Sequence, residues 1–155
     1  MRQFSKGLTT VLCVMVFILA LTSCASSMSV TCNVGTGDTI KVTLDTSEGF
    51  MLEEVDDDHF AVTENGDTVC KAVFFDEDDY EHRKYMYDNM ERIEIIEEGS
   101  GDGLTWTLYN IDLTNCGRTY IVWIDGSNTG LELGSSEEYS EYCEKVFNSL
   151  TFSVE

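Results

Sequence analysis

The chain of 155 residues contains no proline. Its turns therefore fall to glycine, aspartate and asparagine, which interrupt the apolar runs at Gly35-Thr36-Gly37-Asp38, Glu64-Asn65-Gly66-Asp67 and Gly99-Ser100-Gly101-Asp102-Gly103. Positive charge is scarce. Nine Lys and Arg face 29 Asp and Glu, for a formal net charge of −20. Such a body is repelled by phosphate backbones and anionic lipid surfaces, which excludes a nucleic-acid partner. The only histidines are His59 and His82. They form no pair at helical spacing, and there is no Cys-x-x-Cys, so the common zinc patterns are excluded. No serine stands in a Gly-x-Ser-x-Gly elbow. The glycine-rich stretch 99–103 lies between two apolar runs that read as strands, whereas a phosphate cradle opens a helix. Repeats and low-complexity tracts are missing as well. The apolar run 7–20 is shorter than the roughly 20 residues a membrane span needs.

That run is nevertheless informative. It follows Met1-Arg2-Gln3-Phe4-Ser5-Lys6, which carries two basic residues and no acid. It leads into Leu21-Thr22-Ser23-Cys24. A basic start, a short apolar core and a small-residue cleavage site make a secretory leader. The last four residues resemble the lipobox of bacterial lipoproteins. The resemblance implies cleavage before Cys24 and a diacylglycerol on its sulfur. One acyl chain binds a membrane marginally, whereas two hold it stably. The expected organisation is a leader over 1–23, a tether over 24–29 and one domain over 30–155. Loss of the leader removes Arg2 and Lys6 and no acid, so the mature chain is more acidic still.

Cys32, Cys70, Cys116 and Cys143 then remain besides the anchor. An even count in an exported domain suggests one or two disulfides, with three possible full pairings. Four buried free thiols are the alternative.

Periodicity divides the domain into strands and two helices. Alternation around residues 35–38 and around Asn65-Gly66 predicts two hairpins. Residues 76–91 predict a first helix, with acids in its opening turn as the helix dipole prefers. Tyr80, Lys84, Tyr87 and Met90 mark its inner face. Residues 92–134 read as a meander of three or four strands. Residues 135–149 predict a second helix, capped by Ser135, whose apolar face is Tyr139, Tyr142, Cys143, Val146 and Phe147. A closing strand follows. The expected class is α+β, an antiparallel sheet with two helices packed on it. This order and the ending "EEYSEYCEKVFNSLTFSV" resemble the PsbP-like fold over residues 39–154. That fold occurs in the oxygen-evolving-complex subunit of photosynthetic membranes and in small bacterial lipoproteins. The resemblance implies an α/β/α sandwich and says little of function.

Three groups are candidates for a site. Trp106, Tyr109, Tyr120 and Trp123 lie on paired strands and can form a ligand surface or core packing. The clusters Asp56-Asp57-Asp58 and Asp76-Glu77-Asp78-Asp79 lack the bent, alternating loop of a calcium site. With His59, the first cluster could serve an enzyme. The expected function is a non-catalytic binding or interaction module on the outer face of a bacterial membrane. It needs no cofactor or metal, and its envelope-protein or small-ligand partner is unidentified. An enzyme using an Asp/His site is the alternative, and a scaffold in an envelope complex is a third.

Overall fold

A computed structural model describes residues 26–155. The expected leader 1–23 and the lipobox with Cys24 lie outside the described residues. Strand β1 (Ser27–Asn33) pairs antiparallel with β2 (Thr39–Asp45), with Val30 opposite Val42. Pairing thus begins at Ser27, inside the segment expected as a tether. The remaining strands of the N-terminal half are β3 (Phe50–Asp56), β4 (His59–Glu64) and β5 (Asp67–Phe75). Helix α1 (Glu77–Asn89) leads to β6 (Ile93–Gly101), β7 (Leu104–Ile111), β8 (Arg118–Ile124) and β9 (Gly130–Gly134). A 3₁₀ turn over Glu137–Tyr139 precedes helix α2 (Ser140–Ser149) and strand β10 (Leu150–Val154).

Two antiparallel sheets result. The smaller has the order β1-β2-β10, and the larger runs β3-β4-β5-β9-β8-β7-β6. The chain leaves β5 in the middle of the larger sheet and re-enters at its far edge. Helix α1 makes that crossing over one face, touching β6, β8 and β9. The small sheet and α2 cover the opposite face. Two separate cores follow. The larger contains Ile40, Val42 and Leu44 of β2, Phe60, Val62, Leu108, Tyr120 and Leu131 of the large sheet, and Cys143, Val146 and Phe147 of α2. The smaller is Tyr109, Ile111 and Ile121, closed by Tyr80 and Tyr87 of α1. The α+β class is therefore observed, with helices on both faces of one sheet.

The turn chemistry accounts for the hairpins. Asn65 (φ 53°) and Gly66 (φ 92°) take the left-handed conformations of a tight two-residue turn. Asp102 (φ 52°) and Gly103 (φ 76°) do the same between β6 and β7. Only these two residues of the stretch 99–103 form the turn. Gly99 to Gly101 extend β6, because Gly99 pairs with Trp106 and the indole lies over it. Residues 50–56 form the edge strand β3. On the edge strand β6, Ile93 is half-buried opposite Ile111, Ile95 opposite Tyr109 is exposed, and a bulge follows Ile95.

Both helices differ in detail from expectation. Helix α1 is capped by Asp76, whose Oδ1 accepts from the Asp79 amide at 3.0 Å. It ends at Asn89, which leaves Met90 exposed beyond it. None of its side chains is fully buried. It is held by Tyr80 on Trp123, Tyr87 on Tyr109 (both 5.2 Å) and the Arg83–Glu132 ion pair. Ser135 caps nothing; its hydroxyl bonds to the Arg118 carbonyl, and the 3₁₀ turn intervenes. In α2 the buried face is Cys143, Val146 and Phe147, with Tyr139 and Tyr142 half-buried at its start. Glu144 on the other side of the helix pairs with Arg118.

Phe147 stacks on Tyr120 at 3.9 Å and meets Trp106 edge-on at 5.7 Å. Replacing Phe147 by Ala should cost about 3–5 kcal/mol in chemical denaturation, as for other large-to-small aromatic core changes. Replacing the exposed Glu141 by Ala should cost less than about 0.5 kcal/mol.

Candidate functional site

The four aromatic residues do not form one surface. Residues three apart on a strand point to opposite faces. Trp106 and Tyr120 therefore face α2, whereas Tyr109 and Trp123 face α1. Tyr109 and Tyr120 are buried, and Trp123 is half-covered by Tyr80. Of the four, Trp106 lines a groove of about 270 Å³ with Leu104, Phe147, Leu150 and Phe152, and with the polar Ser100, Asp102, Asn148 and Thr151. Of the groove residues only Trp106 was singled out as a site residue; Leu104 was not, nor were Phe147, Leu150 and Phe152. Their signal was the return of the C-terminal strand to β2, which no local pattern reveals.

The indole of Trp106 in this groove is closely packed. A Cβ at Gly99 would stand 2.3 Å from the indole of Trp106, so the ring uses the space left by the missing side chain. Tyr120 and Phe147 meet its edges at 5.7 Å. Burial raises the Tyr120 hydroxyl pKa well above its ordinary range. The groove can hold a flat or apolar group through contact area. Asp102 is the one titratable side chain in its lining, so it has no paired acid and base.

The acidic turn between β3 and β4 does assemble a pair. His59 Nδ1 lies 2.6 Å from Asp56 Oδ1, and both side chains are about half exposed. The Asp58 amide also donates to Asp56, at 3.0 Å. The hydrogen bond from His59, with that of the Asp58 amide, holds the Asp56 carboxyl below its ordinary range. Asp58 is itself engaged, accepting from the Gly35 amide at 2.8 Å. Asp57 is exposed.

A cysteine enzyme would need a thiolate beside this pair. Cys32 is the nearby thiol in question, and its surroundings work against it. Burial and the charges of Glu54, Asp57, Asp58 and Asp56 push it up to about 11. A nucleophilic cysteine requires the reverse, a positive environment that lowers the pKa. The Asp56–His59 pair is thus placed to lock a tight turn. The other acids have similar work. Asp38 accepts from the Asn128 amide and the Thr129 hydroxyl, both at 2.7 Å, and so ties the β1–β2 turn to the β8–β9 turn. Asp76 caps α1.

All four described cysteines are thiols. Cys32, Cys70 and Cys143 are buried in the larger core, and Cys116 is half-buried beside the smaller one. Among the described residues no group of three or more His, Cys, Asp and Glu side chains is arranged to hold a metal ion. No helix among them is long and apolar enough to cross a membrane. Comparison of the chain with protein-family models, with curated proteins and with solved structures finds no match.

The Asp56–His59 contact predicts a titration. A carboxyl with a lowered folded pKa adds stability above its unfolded value of 3.8, and loses it as pH falls through the folded value. His59→Ala should bring the Asp56 carboxyl up towards 3.8 in an NMR titration. An unchanged Asp56 titration would show that the histidine bond is absent in solution.

Proposed function

We propose that this chain is a lipid-anchored protein of the bacterial envelope whose PsbP-like domain is a non-catalytic binding or interaction module. The observation that carries the reading is Leu21-Thr22-Ser23-Cys24 behind a basic start and a short apolar run. Diacylglycerol on Cys24 supplies two acyl chains, enough for stable attachment. Strand β1 begins at Ser27, three residues after that cysteine. Three extended residues reach about 10 Å at most. The domain would then sit against the membrane, with its strongly acidic body repelled by anionic headgroups. In such a position it meets other envelope components and not solutes far from the surface.

The PsbP-like reading has support in the layers. Helices lie on opposite faces of a central antiparallel sheet, and the terminal helix runs directly into a closing strand. The binding reading has support in the groove under Trp106, which offers contact area without an acid–base pair. An enzyme built on Asp56 and His59 is the weaker reading, because the pair braces a turn, with the Asp58 amide bound to the same carboxylate.

The experiment is Cys24→Ala in a bacterial host fed a labelled fatty acid. The substituted chain should lose the label and leave the membrane fraction, while the unsubstituted chain keeps both. Equal labelling of the two chains would refute the anchor.

A further inference from the structure

Two thiols meet inside the larger core. Cys70 lies on β5, and Cys143 on α2. They are 1% and 0% exposed. The Cys143 sulfur lies over the junction of β8 and β9, 3.3 Å from the Arg118 carbonyl and 3.7 Å from that of Leu133. Strand β5 flanks β9 at that level, with Lys71 opposite Gly134 and Ala72 opposite Leu133. Cys70 points to the same face as Ala72 and Phe74, into the core that holds Cys143. Helix α2, which carries Cys143, packs directly on β5, which carries Cys70, and each thiol feels the other's charge. The other cysteines are placed differently. Cys116 belongs to the core on the far side of the sheet, and Cys32, although in the same core as the pair, lies on β1 under the acidic turn.

We propose that Cys70 and Cys143 form the one disulfide of the mature domain, joining α2 to β5, while Cys32 and Cys116 stay free. The inference rests on the export reading above, because an oxidising compartment supplies the oxidant in the cell. That oxidant is a disulfide, either of a small thiol such as glutathione or of a thiol–disulfide oxidoreductase. One protein thiolate attacks it, forming a mixed disulfide and releasing one reduced thiol. The second protein cysteine, having lost its proton, attacks the mixed disulfide and releases the other. Two protein thiols are oxidised, and their two electrons and two protons end on the reduced oxidant.

Timing follows from burial. Hydrogen bonding to Cys143 and desolvation hold Cys70 protonated far above the ordinary thiol range. Exchange in the folded state is therefore slow, since the thiolate is the reacting form. The bridge forms during folding, before α2 closes over β5. It then restrains a long loop of the unfolded chain that contains α1 and the strands β6 to β9.

The test uses the full chain in detergent, unfolded and then refolded in a buffer of reduced and oxidised glutathione. Free thiols are alkylated, and the chain is digested and mapped by mass without reduction. The expected result is a linked Cys70–Cys143 peptide, with Cys32 and Cys116 alkylated. Oxidised protein should melt roughly 5–15 °C above reduced protein. Cys143→Ala should abolish that difference, and Cys32→Ala should preserve it. Alkylation of Cys70 and Cys143 to the same extent as Cys32 would overturn the proposal, as would a different pairing. The purified chain meets the same oxidant wherever it resides in the cell, so loss of the lipid-anchor reading would leave this outcome untouched.

Discussion

Strands β7 and β8 are covered on both faces, and everything else leans on that. A strand in this position must feed two cores through its alternation. In β8, Tyr120, Val122 and Ile124 enter the larger core, while Ile121 enters the smaller one and Trp123 lies under Tyr80 of α1. In β7, Leu104 and Leu108 enter the first, and Tyr109 and Ile111 the second. Helix α2 and the small sheet have their footing only on the first face. Helix α1 has its footing only on the second. Since α1 buries no side chain fully, its position depends on two tyrosines and on ion pairs with the strands beneath. A helix so held is the less stable of the two layers.

The second constraint is charge. With 29 acids and few bases, most carboxylates cannot find a cation. Several serve as acceptors for backbone amides at turns instead. Asp45 receives Ser47, Asp56 receives Asp58, Asp58 receives Gly35, and Asp76 receives Asp79. In a chain without proline this is how connections are stiffened, because an aspartate can fix the turn that follows it through its own side chain. Three carboxylates of the two acidic clusters, those of Asp56, Asp58 and Asp76, are engaged in this way.

How far this was legible depends on the range of each interaction. The hairpin at Asn65-Gly66 follows from two residues, and the inner face of α2 follows from spacing within ten. Alternation could also have separated Trp106 from Tyr109 and Tyr120 from Trp123, because each pair is three apart on one strand. Taking them as a single surface overlooked that parity. The pairing of β10 with β2 was hidden, since it joins residues more than a hundred positions apart. The groove under Trp106 depends on that pairing, so it was hidden too. Helix α1 was recognised from its acidic start and its tyrosines. Its early end at Asn89 left Met90, read as part of the inner face, in solvent.

Native-state hydrogen exchange tests the dependence on the two-faced strands most directly. The amides of Ile121 and Val122 should exchange only through global unfolding, with a free energy equal to that from denaturation. Amides of α1 should open at lower free energy, with the sheet intact. If Ile121 and Val122 instead open locally, at a free energy below the global value, the central strands do not carry the structure and the account fails.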